Sequence, residues 1–188
     1  MGFRVQTRGV DVREILLHPV RTFTDTDGDL PADRAENRMS AFVYGDVLVL
    51  AATAGVSYSD IDSGKALVII VGTVLSTYLA HVLADVVGSV FAGHGSAALL
   101  RAELRDSVPV ISAGTPSLIL LGAGAIDVLP ELWSQGAACA ILIGRLAGIG
   151  LVYRRLHTGV TARTAVRFGA VIAAVATVVV ILKLVLTH

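Results

Sequence analysis

The sequence predicts an all-α integral membrane protein, a helical bundle of five transmembrane helices with a cytoplasmic N-terminus and an outside C-terminus. Three observations predict it. The 188 residues are 54% hydrophobic and only 16% charged, with a mean hydropathy of +0.75, whereas soluble domains carry about 25% charged residues. Five apolar stretches each come near the ~20 residues that a crossing helix needs. Basic residues, finally, gather in alternate loops, as the positive-inside rule requires.

The stretches are Met39–Tyr58, Ala66–Ala92, Val108–Ile126, Leu132–Tyr153 and Phe168–Leu186. They divide the chain into a cytoplasmic N-terminal segment, residues 1–38, and a transmembrane domain, residues 39–188. The breaks between spans are polar: Ser59–Gly64 is a charged turn, Gly93–Ser107 holds two acids and two arginines, Asp127–Glu131 contains Pro130, and Arg154–Arg167 holds four arginines. Six arginines precede the first span, two lie in the second loop and four in the fourth, so twelve of the fifteen basic residues fall on one side. In the third span Gly114-Thr115-Pro116 predicts a kink or local break, because proline removes one ladder hydrogen bond.

In the N-terminal segment, Asp11-Val-Arg-Glu14 reads as a capping box opening a short amphipathic helix. Asp25-Thr-Asp27-Gly-Asp29 resembles the start of a calcium loop but lacks the closing Glu, and solvated linker is the better reading. Pro31 opens a helix that runs into the first span. Ala97–Leu104, leucines flanked by arginines, predicts a cytoplasmic interfacial helix.

The second span carries polar residues four apart: Thr73, Thr77, His81, Asp85 and Ser89. Such residues stack into one slanted stripe about 24 Å long. A His and an Asp at that depth are costly in lipid, so the stripe must face protein or water. Asp46, Asp85 and Arg145 each lie eight or nine residues from the cytoplasmic boundary, which places all three about 12–14 Å deep in one plane, with His81 near 18 Å. Two readings stay open. Arg145 between two carboxylates is a structural lock that cancels charge. Alternatively one carboxylate and His81 are left over to relay protons or hold a cation.

The predicted ion or proton pathway is therefore Asp46, Thr73, Thr77, Tyr78, His81, Asp85 and Arg145. His81 and Asp85, with Asp46 from a neighbouring helix, are weak metal-ligand candidates; a His–Asp hydrogen bond explains the pair equally well. Thr53 and Ser57 share a face with Asp46 and suggest a polar interior, Tyr78 is placed to join that network, and Tyr44 reads as an interfacial anchor. Gly144-x-x-x-Gly148 with Gly150, and Gly88 with Gly122 and Gly124, suggest close helix contacts. Lys183 snorkels outward and Trp133 anchors the outer interface.

Charge balance, fifteen acidic against fifteen basic residues, points to no nucleic-acid partner. The single Cys139 excludes a disulfide framework, and no enzyme motif or cofactor fingerprint is present. The expected partners are the lipid bilayer and further membrane subunits, as a homo-oligomer or within a larger complex.

The runs Arg38-Met-Ser-Ala41-Phe42-Val-Tyr44-Gly45-Asp46 and Tyr78-Leu-Ala-His81-Val-Leu-Ala-Asp85, with the Leu182-Lys183-Leu184 tail, resemble a group of small actinobacterial multi-pass membrane proteins. The similarity covers Arg34 to His188 and implies location in a Gram-positive inner membrane. A fainter similarity is to bacterial homologues of the lysosomal potassium channel, whose first helix begins Arg-x-x-x-Phe-Ser-Asp. Phe42 follows Arg38 by four, but Val43-Tyr44 replace Ser-Asp, and the five spans differ from six. These readings predict a small channel or transporter subunit moving protons or cations, with an accessory or scaffold subunit as the alternative.

Overall fold

The computed structural model describes residues 32–187 apart from 92, 94–96 and 158. The capping-box helix at Asp11 and the acidic run at Asp25 lie outside the described residues, as do His18 and His94. The described chain is all-helical: α1 Ala32–Gly55, α2 Tyr58–Asp62, α3 Lys65–Phe91, α4 Ala97–Asp106, α5 Val108–Ala125, α6 Glu131–Leu156 and α7 Ala162–Thr187.

Four helical segments are long and apolar enough to cross a membrane: Lys65–Phe91, Glu103–Ala125, Glu131–Arg155 and Ala162–Leu186. The first predicted span is the exception. It lies in α1, a helix of 24 residues, but α1 is not apolar enough to be counted with the other four. Its place in the bundle explains the composition. Helices α3, α5, α6 and α7 pack in succession, each against the next, and α1 packs against all four. Ala41, Phe42, Asp46, Val49, Leu50 and Thr53 of α1 are all buried. A helix wrapped by other helices is solvated by protein, so it tolerates polar groups that a lipid-facing helix does not.

The polar breaks are more ordered than the sequence suggests. Ser57 caps α2, accepting from the Asp60 amide at 3.2 Å while its own amide donates to Asp60 Oδ2 at 3.2 Å, a capping box. Ser57 is therefore an exposed cap rather than part of a polar interior. Gly64, at φ +72°, takes the left-handed conformation that closes α2 and admits α3. The helix expected at Ala97–Leu104 forms as part of α4.

At Pro116 the helix is not broken. Helix α5 continues through this residue from Val108 to Ala125. The neighbouring packing accounts for it: Ser117 and Gly114 are buried against other helices, so tertiary contacts hold the turn that lacks a ladder bond. The helices that carry the fourth and fifth predicted spans are longer than those stretches. Arg154 and Arg155 belong to the last turn of α6, where cations suit the helix C-terminus, and Arg163 and Arg167 to the first turns of α7, where arginine serves as a good helix former.

Candidate functional site

Asp46, Asp85 and Arg145, predicted in one plane, and His81, predicted one turn deeper, form two separate pairs. In the first, Arg145 Nε of α6 donates to both carboxylate oxygens of Asp46 on α1, at 3.2 and 3.1 Å. The terminal Nη2 turns away and donates to Ser112 Oγ of α5 at 3.1 Å. Above the ring of Phe42 the guanidinium carbon stands 4.8 Å from the centroid, within cation–π range. Asp46 is 0% exposed. One arginine thus ties α1, α5 and α6 together. The fork does not sit two-on-two on the carboxylate, as a bidentate pair would; a single nitrogen serves both oxygens and the other arm serves Ser112.

Local sequence makes this possible. Gly45 precedes Asp46, and a Cβ there would stand 2.9 Å from Val110 Cα. Helices α1 and α5 therefore cross at near backbone contact beside the ion pair, which brings Ser112 within reach of Arg145.

The second pair lies along α3. His81 Nδ1 stands 2.9 Å from Asp85 Oδ2, one turn apart, with side chains 10% and 22% exposed. The ring of Tyr44 on α1 meets His81 edge-on, with centroids 6.4 Å apart and planes at 77°. Among the described residues, His81 is the one basic side chain paired with Asp85. Arg145, expected between the two aspartates, is taken up by Asp46 and Ser112.

The stripe on α3 does turn toward the protein. Thr77 is buried, and Thr73, His81, Asp85 and Ser89 are half-buried, while Val68, Leu75, Leu79, Leu83, Val87 and Val90 stay exposed. Thr73 Oγ1 donates to the Ile69 carbonyl at 2.8 Å, within its own helix. Tyr78 does not reach the charged groups; its hydroxyl donates to the Leu104 carbonyl of α4 at 3.1 Å. Thr53 is fully buried, and its Oγ1 lies 2.8 Å from Ser117 Oγ of α5. Among the described residues no group of three His, Cys, Asp or Glu could hold a metal ion. Asp46, the third ligand candidate, faces Arg145 instead.

Several contacts carry no isolated sequence signal. Arg38 Nε donates to Asp106 Oδ1 at 2.7 Å, joining α1 to the end of α4, and Asp106 is 3% exposed. Gln135 Nε2 of α6 donates to the carbonyls of Thr53 and Val56, each at 2.9 Å. It thereby satisfies acceptors at and beyond the C-terminal end of α1, which a helix otherwise leaves open.

The predicted glycine contacts are redistributed. Around Gly144, Gly148 and Gly88 an added Cβ would meet nothing within 4 Å, and at Gly122 only Leu67 at 3.9 Å. Gly150 and Gly124 do mark close approaches, joined by Gly169 and Gly114. A Cβ on Gly150 would fall on the Ala165 carbonyl oxygen, and one on Gly169 on the Ala147 carbonyl oxygen, so α6 and α7 cross backbone to backbone. The Gly-x-x-x-Gly spacing named the helix but not the face, because α7 meets the side of α6 that carries Gly150.

Compared with family models, with curated proteins and with solved structures, the chain matches none of them.

Proposed function

We propose that the protein is a small channel or transporter subunit of the inner (plasma) membrane, moving protons or cations through the His81–Asp85 pair. In this reading α1 crosses together with the four apolar helices, giving five spans with the N-terminus in the cytoplasm. The lipid bilayer and further copies of the chain are its partners. The observation that carries the reading is the 2.9 Å approach of His81 to Asp85 on a helix that is otherwise apolar. A carboxylate and an imidazole there, with the one intramembrane arginine engaged elsewhere, are the usual materials of a proton relay or ion path.

The Asp46–Arg145 pair supports a second reading. Its members are held by each other and by Ser112, as a purely structural lock in an accessory or scaffold subunit would be. The two readings divide the charged residues differently: the lock accounts for Asp46 and Arg145, and leaves His81 and Asp85 without a task.

Reconstitution decides between them. Purified protein in liposomes is assayed for proton, potassium and divalent-cation flux as wild type, Asp85→Asn and His81→Ala. The transport reading expects flux in wild type and its loss in both variants with the fold retained. Absence of flux of every ion from folded wild type would sink it in favour of the scaffold.

A further inference from the structure

Tyr44 stands between an open groove on α1 and the His81–Asp85 pair. The groove, of about 620 Å³, is lined by Glu36, Met39, Ser40, Val43, Tyr44 and Val47. These recur at the spacing of one helical face. Glu36, Ser40 and Tyr44 are four apart, so they draw a polar line about 12 Å long over an apolar floor. The line begins in the first turns of α1 and ends at the ring that meets His81 edge-on. Tyr44 is 48% exposed on the groove side, whereas only a tenth of the His81 side chain is exposed.

We infer that Tyr44 is the gate of the His81–Asp85 pair, and that the groove carrying Glu36 and Ser40 is its approach from the cytoplasmic end of α1. The inference rests on the transport reading and deepens it by naming the access route and the residue that closes it. A half-exposed aromatic side chain changes rotamer without backbone movement, so the ring can uncover the imidazole while the bundle stays assembled. Tyr44 acts here as a positioning residue: it touches His81, and the ring rather than the hydroxyl does the covering.

The test reads access and flux separately. Full-length protein in nanodiscs is treated with diethylpyrocarbonate, and modification of His81 is followed by site-resolved mass spectrometry in wild type, Tyr44→Ala and Tyr44→Phe. Tyr44→Ala is expected to speed modification of His81 several-fold, and Tyr44→Phe, which keeps the ring, to leave it at the wild-type rate. In a Cys139→Ala background, Ser40→Cys is expected to react with a membrane-impermeant thiol reagent in the bilayer. Equal His81 rates in wild type and Tyr44→Ala, a Tyr44→Phe rate as fast as that of Tyr44→Ala, or a Ser40→Cys that labels in detergent but not in the bilayer would each overturn the gate. Wild-type liposomes without flux sink the transport reading alone, because the access rates are measured without it. Flux with unchanged His81 reactivity sinks the gate alone.

Discussion

Asp46 and Arg145 are 99 residues apart in the chain, and in the bundle a single guanidinium nitrogen lies 3.2 and 3.1 Å from the two carboxylate oxygens. The pair joins the central helix α1 to α6, and through Ser112 the same guanidinium reaches α5. Taking both charges out of water is costly, and the cost is repaid only when the remaining donors and acceptors are satisfied. Here the second arm of the arginine has Ser112 and its face has the Phe42 ring.

Removing one partner should therefore be far worse than removing both. Asp46→Leu and Arg145→Met alone are each expected to destabilise by about 3–5 kcal/mol, because each leaves a buried charge behind. The double variant is expected to recover most of that loss. Arg145→Lys should recover little, since an ammonium cannot serve Asp46 and Ser112 in this geometry. Unfolding in detergent, arranged as a double-mutant cycle, measures the coupling. Additive effects of the two single changes would show that the pair does not hold the bundle together.

The crossing of α6 and α7 makes a sharper prediction, because it separates glycines that look alike in sequence. Gly150→Ala and Gly169→Ala place a methyl group on a carbonyl oxygen of the facing helix, and overpacking of that kind costs about 1–3 kcal/mol or more. Gly144→Ala and Gly148→Ala meet nothing within 4 Å and are expected to be neutral or slightly stabilising, since alanine is the better helix former. Midpoints of unfolding for the four variants should fall into these two groups. If Gly148→Ala proves as harmful as Gly150→Ala, the crossing lies on another face.

What the sequence made legible, and what it did not, follows from range. Hydropathy and loop charge are local sums, so the positions of α3, α5, α6 and α7 and the inward turn of the Thr73–Ser89 stripe could be read directly. Depth along a helix is local too, which is why Asp46, Asp85 and Arg145 were placed at one level. Depth does not say which neighbour a side chain faces. Rotation about each helix axis is set by packing, and it gave Arg145 to Asp46 and left Asp85 to His81. The low apolarity of α1 likewise makes sense only once α1 is seen at the centre. Gln135 and Ser112 were invisible for the same reason, since each matters through a partner on another helix.

The turn between α1 and α3 predicts a pH dependence with two opposed parts. Hydrogen bonds from the Ser57 side chain and amide hold the Asp60 carboxyl below the ordinary carboxylate range. A depressed carboxylate stabilises the fold above its unfolded pKa of about 3.9 and loses that contribution as pH falls through the folded value. Asp62 behaves oppositely: the neighbouring Glu131 carboxyl, desolvation and the charge of Asp127 raise it. Its contribution is present below the unfolded value and is lost as pH rises through the folded one. Asp60→Asn is thus expected to remove stability at neutral pH and to flatten the acid limb. Asp62→Asn is expected to leave stability at neutral pH unchanged or improved, and to flatten the opposite slope. Stability measured against pH for both variants checks the signs, and equal slopes for wild type and Asp62→Asn would show that the Glu131 contact is not made.

The buried hydroxyls of Thr53 and Ser117, 2.8 Å apart between α1 and α5, test whether the interior of the bundle is held by polar contacts or by packing. Either hydroxyl can donate to the other, and both residues are fully buried. Hydrogen bonds between membrane helices average about 0.6 kcal/mol and reach about 1.7, less than the cost of a cavity or a clash. Thr53→Val keeps the shape and removes the donor. It is expected to cost about that modest amount, with Ser117→Ala adding almost nothing to it, because the partner is already lost. Thr53→Ala opens a methyl-sized void as well and should cost more than Thr53→Val, as buried methyl groups do. The ordering of these variants in a detergent unfolding series is the measurement. A Thr53→Val loss as large as that of Thr53→Ala would mean that the hydroxyl pair, rather than the packing around Val49 and Leu50, fixes how α1 sits against α5.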